Sequence, residues 1–273
     1  MNDLTDQFRL AIAAAGLAPP TEIIDDGVIH RFSTSGKPTH KNGWYMLHTD
    51  GIAAGAFGDW REGFTQNWCS KADTSMTEAE RFAHRERVKA MQRQREDDLT
   101  QRQQLAAADA LKRWTAATPC TQHDYLTHKG IQPHGAKMEG DKLLIPMRDT
   151  VGTVHSLQTI TPDGTKMFMS GGRVKGCYFG IGKPKGALIV CEGFATGASI
   201  HECTGHAVAV AFNAGNLEAV ALALRSKYPT FKIIIAADDD HQTPGNPGMT
   251  KATAAVQATG ATLAVPVFKA TTS

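Results

Sequence analysis

The chain has 273 residues, of which 41% are hydrophobic and 21% charged, and its formal net charge is +2. This size and composition predict a soluble globular protein with about two or three small domains. No apolar run approaches the length needed to span a bilayer, and acidic residues near the amino terminus do not fit a signal peptide. We therefore expect a cytoplasmic protein that is not bound to a membrane.

Residues 1–72 are predicted to form a small α+β module. Apolar residues at helical spacing predict a helix up to Gly16, and short alternating runs predict an antiparallel sheet. The predicted strands are Val28–Ser33, Trp44–His48, Ala53–Phe57 and Thr65–Cys69. Aromatic residues interleaved with basic ones would suit base stacking, but most of these rings are needed for the core of so small a sheet.

We expect no zinc in this module. The five cysteines of the chain are an odd number, none of them forms a C-x-x-C pair, and all are predicted to be reduced. Three histidines lie in the module (His30, His40 and His48), but the Cys/His spacing of a zinc site is absent.

Residues 73–119 are rich in Gln, Glu, Arg and Ala and lack glycine, which predicts a helical linker. Thr77 and Glu80 have the spacing of a capping box at its start. Its basic residues invite a DNA-binding interpretation, but nearly equal numbers of acids favour a solvated helix.

Residues 120–185 are predicted to form a basic, strand-rich subdomain with a short helix at residues 124–129. They contain nine lysines and arginines against five acids. An excess of positively charged side chains beside an acidic domain would suit the binding of a phosphate-bearing polymer. A charge difference of this size also lies within the ordinary variation between protein segments.

Residues 186–273 are predicted to form an α/β domain around a parallel sheet. Apolar runs that read as buried strands alternate with helical segments in a βαβαβαβ pattern. The predicted strands are Ala187–Cys191, His206–Phe212, Lys232–Ala237 and Ala261–Val267, and the predicted helices are Ala195–Cys203, Leu217–Lys227 and Thr250–Ala258.

Carboxylates follow two of these strands at the point where each ends. Glu192 follows the first, and Asp238, Asp239 and Asp240 follow the third. Open parallel sheets place their sites at the carboxyl ends of the strands. Clustered carboxylates repel one another unless a cation neutralises them, so Mg²⁺ or Mn²⁺ with phosphoryl or nucleotidyl transfer is the economical interpretation. The alternative is that these acids only cap the adjacent helices. Capping could explain one of the two acidic turns more easily than both.

The loop that ends at Lys251 superficially resembles a phosphate-binding loop. It lacks the Gly-Lys-Ser/Thr ending, so a Walker ATPase is not expected. We expect the loop to expose backbone amides beside the acids, with Lys251 as a candidate phosphate contact.

The motifs Glu192-Gly193 and Asp238-x-Asp240 resemble those of the Toprim domain, which bacterial replicative primases share with type IA and type II topoisomerases and certain nucleases. The segment 142–180 resembles the basic segment that precedes Toprim in bacterial primases, and segments within residues 30–58 resemble primases of conjugative plasmids and related mobile elements. The resemblance implies a Rossmann-like βαβ sheet.

The resemblance also implies a DNA primase that makes short RNA primers on single-stranded DNA from ribonucleoside triphosphates. Asp238 and Asp240 would hold Mg²⁺ or Mn²⁺, with Asp239 as a third ligand or an outer-shell partner. Glu192 would be a further ligand or the general base. The matching basic residues that would contact template and nucleotide phosphates are Arg148, Lys166 and Lys175. A helicase or conjugation machinery would act in trans.

The sequence is also compatible with two other functions. A Toprim nuclease would use the same acids with water as the nucleophile. A non-catalytic protein that binds single-stranded DNA would need no acids, and the presence of both acidic turns argues against it.

Overall fold

The structure is a computed structural model that describes residues 4–36, 41–60, 62–238, 243 and 246–266. The chain divides into two compact units, Met1–Thr100 and Gln101–Ser273. Within the described ranges no helix has the length and apolar character required to cross a membrane. The predicted division into four segments (1–72, 73–119, 120–185 and 186–273) stays a prediction.

The amino-terminal unit contains one helix packed on an antiparallel sheet. Its elements are α1 (Leu4–Ala14), β1 (His30–Phe32), β2 (Gly43–His48), β3 (Ala54–Asp59) and β4 (Phe64–Cys69), with the strands in sequential order. Phe8 and Ile12 lie one turn apart on α1 and pack against Tyr45, Leu47 and Phe57. The larger aromatic rings therefore build the core of this sheet, as predicted.

A single long helix, α2 (Glu78–Ala116), follows the sheet and contributes residues to both units. Thr77 and Glu80 form the predicted capping box: the amide of Thr77 donates to Oε2 of Glu80 at 2.7 Å, and the amide of Glu80 donates to Oγ1 of Thr77 at 3.3 Å. In the amino-terminal unit Met91 of α2 packs against Met46, and in the carboxy-terminal unit Ala110 packs against Leu144.

The first sheet of the carboxy-terminal unit is antiparallel, with its strands in sequential order. Its elements are β5 (Thr118–Pro119), α3 (Asp124–Lys129), β6 (Lys137–Glu139), β7 (Lys142–Arg148), β8 (Val154–Ile160) and β9 (Lys166–Phe168). The β7–β8 register shifts between Met147 and Arg148. This irregularity lies at the position where the sequence places a predicted phosphate contact.

The second sheet is parallel except for its first strand, in the order β10-β12-β11-β13-β14. Its elements are β10 (Phe179–Ile181), β11 (Ala187–Cys191), α4 (Phe194–Thr204), β12 (Ala207–Val210), α5 (Leu217–Lys227), β13 (Lys232–Ala236), α6 (Pro247–Thr259) and β14 (Thr262–Ala264). The predicted α/β fold with a parallel carboxy-terminal sheet is confirmed. The sequence did not indicate the antiparallel β10.

Alternate residues of β11 face two different cores. Ile189 and Cys191 pack with α4 and with the first sheet, whereas Leu188 and Val190 pack with α5 and α6. Gly197 lets α4 approach the sheet, because a Cβ at that position would lie 2.7 Å from Cγ2 of Val210.

Several predicted boundaries in this part of the chain differ from the structure, and two of them have local reasons. The strand β12 ends at Val210 rather than Phe212, because Phe212 has a φ of 73° and leaves the extended conformation. The helix α6 begins at Pro247 rather than Thr250, because Asn246 caps it by accepting from the amide of Met249 and proline is favourable in the first turn.

Candidate functional site at the carboxyl ends of the parallel strands

Glu192 and Asp238 lie at the same edge of the second sheet. The strands β11 and β13 are adjacent and parallel, and Val190 pairs with Ile235. Extending that register by two residues places Glu192 opposite Ala237, beside Asp238. Adjacent strands lie about 4.8 Å apart, so the two acidic turns are neighbours. Both carboxylates are half-buried.

The buried thiol of Cys191 lies close enough to both acids to be affected by their charges. Burial is the main cause that raises the pKa of Cys191 well above its ordinary value, and the negative charges of Asp238 and Glu192 raise it further. Both carboxylates therefore act on one thiol, and that thiol stays protonated at neutral pH. Oxygen atoms rather than a thiolate are the donors available here, which suits a hard divalent cation.

Part of the predicted metal site can be placed and part cannot. Asp239 and Asp240 lie outside the described residues. Within the part of the chain that the structure describes, no group of three or more His, Cys, Asp or Glu side chains is arranged to hold a metal ion. Glu192 and Asp238 are thus the described half of the predicted ligand set.

Lys166 is a basic residue whose charge interacts with that of Asp238. The pKa of Lys166 is lowered, first by partial desolvation and then by the positive charge of Lys129, whereas Asp238 opposes the shift. Its ammonium also lies 5.8 Å from the ring centroid of Tyr125. Lys166 is therefore within electrostatic range of Asp238, although 71 residues separate them along the chain.

Backbone hydrogen bonds between Arg148 and Tyr178 connect Arg148 to the same edge of the second sheet. The amide of Arg148 donates to the carbonyl of Tyr178 at 3.0 Å, directly before β10, where Phe179 pairs with Val210. Arg148 thus lies three strand positions from β11, a separation of roughly 14 Å. Its guanidinium lies 5.5 Å from the ring centroid of Trp114 and donates to the carbonyl of Gly152, and burial lowers its pKa.

Lys175 and Lys251 are both exposed. Lys175 lies in the loop Arg173–Gly176, and its carbonyl accepts from Nε of Arg173 at 3.2 Å. Lys251 lies in the second turn of α6, and the loop before that helix is mostly outside the described residues. The predicted role of each in phosphate binding stays a prediction.

Asn216 holds the loop of Lys175 in place, and the sequence interpretation missed it. Its Oδ1 accepts from the amide of Gly176 at 2.8 Å, and its Nδ2 donates to the carbonyls of Cys177 and Ala211, each at 2.9 Å. The side chain is buried. An asparagine directly before a helix suggests a cap, but this side chain makes no capping hydrogen bond to α5.

We expect Asn216→Ala to loosen the loop of Lys175. The substitution leaves the amide of Gly176 and two buried carbonyls without this partner, and an unsatisfied buried group costs about 1–3 kcal/mol. Hydrogen exchange at the Gly176 amide should therefore be about fivefold to a hundredfold faster. The matched control is Asn213→Ala, because Asn213 lies in the same turn and makes no side-chain capping bond. Equal exchange rates in the two variants would contradict this role for Asn216.

Comparison with known proteins supports the Toprim resemblance. A family model described as the Toprim domain matches residues 187–271. Two DNA primases TraC of Escherichia coli are 36% and 35% identical to this chain, each across 96% of it. The chain spans 26% and 19% of their respective lengths. The carboxy-terminal α/β sheet is therefore a Toprim domain, and the predicted resemblance to Toprim-containing DNA primases is confirmed.

Two solved structures also show a partial likeness. The primase fragment of the bacteriophage T7 primase-helicase protein covers 56% of this chain and 71% of its own, with 17% identity and a TM-score of 0.41. The DnaG primase catalytic domain bound to single-stranded DNA covers 63% of this chain and 73% of its own, with 11% identity and a TM-score of 0.45.

Proposed function

We propose that this chain is a DNA primase that joins ribonucleotides on a single-stranded DNA template and releases pyrophosphate. The observation that carries the proposal is that Glu192 and Asp238 lie at one edge of the Toprim sheet, with Lys166 within electrostatic range of Asp238. Carboxylates and an ammonium group in that arrangement suit a reaction in which a hydroxyl attacks a phosphate group and pyrophosphate leaves. The similarity to DNA primases named TraC along 96% of the chain supports the same activity.

Glu192 and Asp238, together with Asp239 and Asp240, would hold Mg²⁺ or Mn²⁺. A divalent cation there would supply positive charge to offset the negative charge that develops on the transferred phosphate. Glu192 is either one of these ligands or the base that accepts the proton of the primer 3′-hydroxyl. Asp238 also opposes the lowering of the Lys166 pKa, so its negative charge favours the protonated lysine that phosphate binding requires.

Arg148, Lys166 and Lys175 would bind the phosphates of nucleotide and template, with Lys251 as a further contact. Arg148 and Lys166 lie on two different strands of the first sheet, which supports contacts with more than one phosphate. The partners in this proposal are single-stranded DNA and ribonucleoside triphosphates, with a helicase or the conjugation machinery of a plasmid or mobile element acting in trans. The reaction would take place in the cytoplasm.

The proposal is tested by incorporation of radiolabelled ribonucleotides on random single-stranded DNA with Mg²⁺ or Mn²⁺. We expect short labelled RNA products with wild-type protein and at least about a hundredfold less with Glu192→Gln, because the variant lacks the carboxylate charge. Labelled DNA is followed in parallel. Loss of that DNA without RNA products would support a nuclease, and binding of DNA with neither reaction would support a non-catalytic protein.

A further inference from the structure

The amino-terminal unit contains a pocket of about 90 Å³ between its sheet and α2, on residues to which the proposed function assigns no role. The sheet face that bounds it has two cross-strand rows, Trp44–Gly58–Thr65 and Met46–Ala56–Asn67. On the other side α2 closes the pocket with Met91 and Arg95. Because alternate residues of a strand face opposite sides, this pocket is separate from the core on which α1 packs.

The wall of the pocket carries a buried hydrogen-bond donor. Trp44 is only 1% exposed, and its Nε1 has no hydrogen-bond partner among the described residues. A buried indole N–H usually has a partner, because leaving it unsatisfied costs free energy. Gly58 leaves room beside this atom, since a Cβ there would lie 2.9 Å from Nε1 of Trp44. A ligand that offers an acceptor would satisfy this donor.

Two guanidinium groups flank a pair of tryptophan rings on this face. Arg95 lies 5.3 Å from the ring centroid of Trp44, and Arg31 lies 5.8 Å from that of Trp60. The two ring centroids are themselves 5.3 Å apart. In the part of the chain that the structure describes, Arg95 forms no ion pair, and Glu96 beside it accepts from Nε2 of Gln92 at 2.9 Å. The guanidinium of Arg95 is therefore available to a ligand.

These groups together suit one unpaired base of a nucleic acid. Unpaired bases are held by stacking on aromatic rings or guanidinium planes and by hydrogen bonds to their edges. Besides the indole N–H, the pocket offers the amide of Asn67 and the hydroxyl of Thr65, which are both exposed on β4. Its volume lies below the 300–1,000 Å³ of pockets that enclose a whole small molecule. It therefore admits a single flat ring rather than a complete nucleotide.

The proposed function requires a single-stranded DNA template. On the basis of that function, we infer that this pocket holds one unpaired base of single-stranded DNA. Arg95 stacks on the base, and Asn67 and the indole N–H of Trp44 bond to its edge. The contact is to a base rather than to the phosphates, because acids and bases are nearly equal in number along the α2 segment.

The inference is tested by fluorescence anisotropy on the full chain, without nucleotides. The probes are a labelled oligothymidylate and a labelled abasic strand of the same length, titrated into wild type, Arg95→Gln and Asn67→Ala. One matched control is Arg93→Gln, because Arg93 is exposed on the same helix but does not line the pocket. The other is Gln66→Ala, because Gln66 precedes Asn67 on β4 and faces the opposite side of the sheet. Thermal unfolding of each variant checks that the fold is retained.

We expect Arg95→Gln and Asn67→Ala each to weaken the binding of oligothymidylate about fivefold to tenfold. Binding of the abasic strand should stay within about twofold of wild type, and both controls should match wild type with both strands. An equal loss for the two strands would overturn the inference, because these residues would then contact the backbone. Unchanged affinity for oligothymidylate in both variants would overturn it as well.

A direct measurement is the indole N–H signal of Trp44 in ¹⁵N nuclear magnetic resonance, assigned with Trp44→Phe. We expect oligothymidylate to shift this signal and the abasic strand to leave it in place. The signal of Trp68 is the internal control, because Trp68 packs on the α1 side of the same sheet. A Trp44 signal that does not move at saturating oligothymidylate would contradict a base in this pocket.

The outcomes separate this inference from the proposed function. If the loss in Arg95→Gln depends on the bases but the wild type makes no primers, the base pocket stands and the primase proposal fails. If the wild type makes primers and Arg95→Gln binds both strands as wild type does, the primase proposal stands and the base pocket fails. A wild type that binds no oligothymidylate rejects the pocket directly.

Discussion

Asp238→Asn is expected to reduce primer synthesis by at least about a hundredfold in a protein that remains folded. Asparagine has nearly the same shape as aspartate but no negative charge. The substitution removes a predicted metal ligand and also the charge that acts on Lys166 and Cys191. Loss of one preorganised electrostatic group typically costs a factor of about 10²–10³ in rate.

The measurement is the yield of labelled RNA on single-stranded DNA at saturating Mg²⁺, together with Mn²⁺ binding followed by electron paramagnetic resonance. We expect weaker Mn²⁺ binding in the variant. The matched control is Glu218→Gln, which removes an exposed carboxylate from the first turn of α5 and should retain wild-type activity. Wild-type primer yield from Asp238→Asn would reject the role assigned to this edge of the sheet.

Phe194→Ala is expected to lower the free energy of unfolding of the carboxy-terminal unit by about 3–5 kcal/mol. The ring is only 1% exposed and packs against Phe179, with ring centroids 5.7 Å apart. The core around it joins residues of both sheets in this unit. Phe194 is also the first residue of α4, immediately after Glu192 and Gly193, so the cavity would form beneath the acidic turn.

The measurement is urea-induced unfolding followed by circular dichroism. The matched control is Val151→Ala, because Val151 belongs to the same unit, its side chain is 84% exposed and its truncation should change the unfolding free energy by less than about 0.5 kcal/mol. A loss below about 1 kcal/mol for Phe194→Ala would show that the site tolerates the missing ring.

Much of the Toprim sheet could be predicted because its signals are local. The run Ala187–Cys191 is a strand in both the prediction and the structure, and the helix Leu217–Lys227 has the predicted bounds. Each is a buried apolar pattern bounded by turn residues, and such a pattern depends only on neighbours in the chain. The capping box at Thr77 and Glu80 is local in the same sense.

The candidate site was predictable only in part. Two acids at the ends of parallel strands must share an edge, so the positions of Glu192 and Asp238 followed from the predicted fold. Two other features could not be predicted. They are the stacking of the Arg148 guanidinium on the ring of Trp114 and the hydrogen bonds of Asn216 to Gly176 and Cys177. A residue type indicates which bonds a side chain can make, but it does not indicate which distant group will be there to make them.

Most of the strands and helices, the fold class and the edge at which the acids lie could be predicted from the amino-acid sequence, because burial patterns and strand direction are properties of short segments. Which lysine and arginine side chains lie near that edge depends on the tertiary structure. Lys166 comes within electrostatic range of Asp238 because the two sheets of this unit pack against each other in a shared core. These residues belong to segments that are far apart in the chain, so a local sequence pattern does not predict their contact.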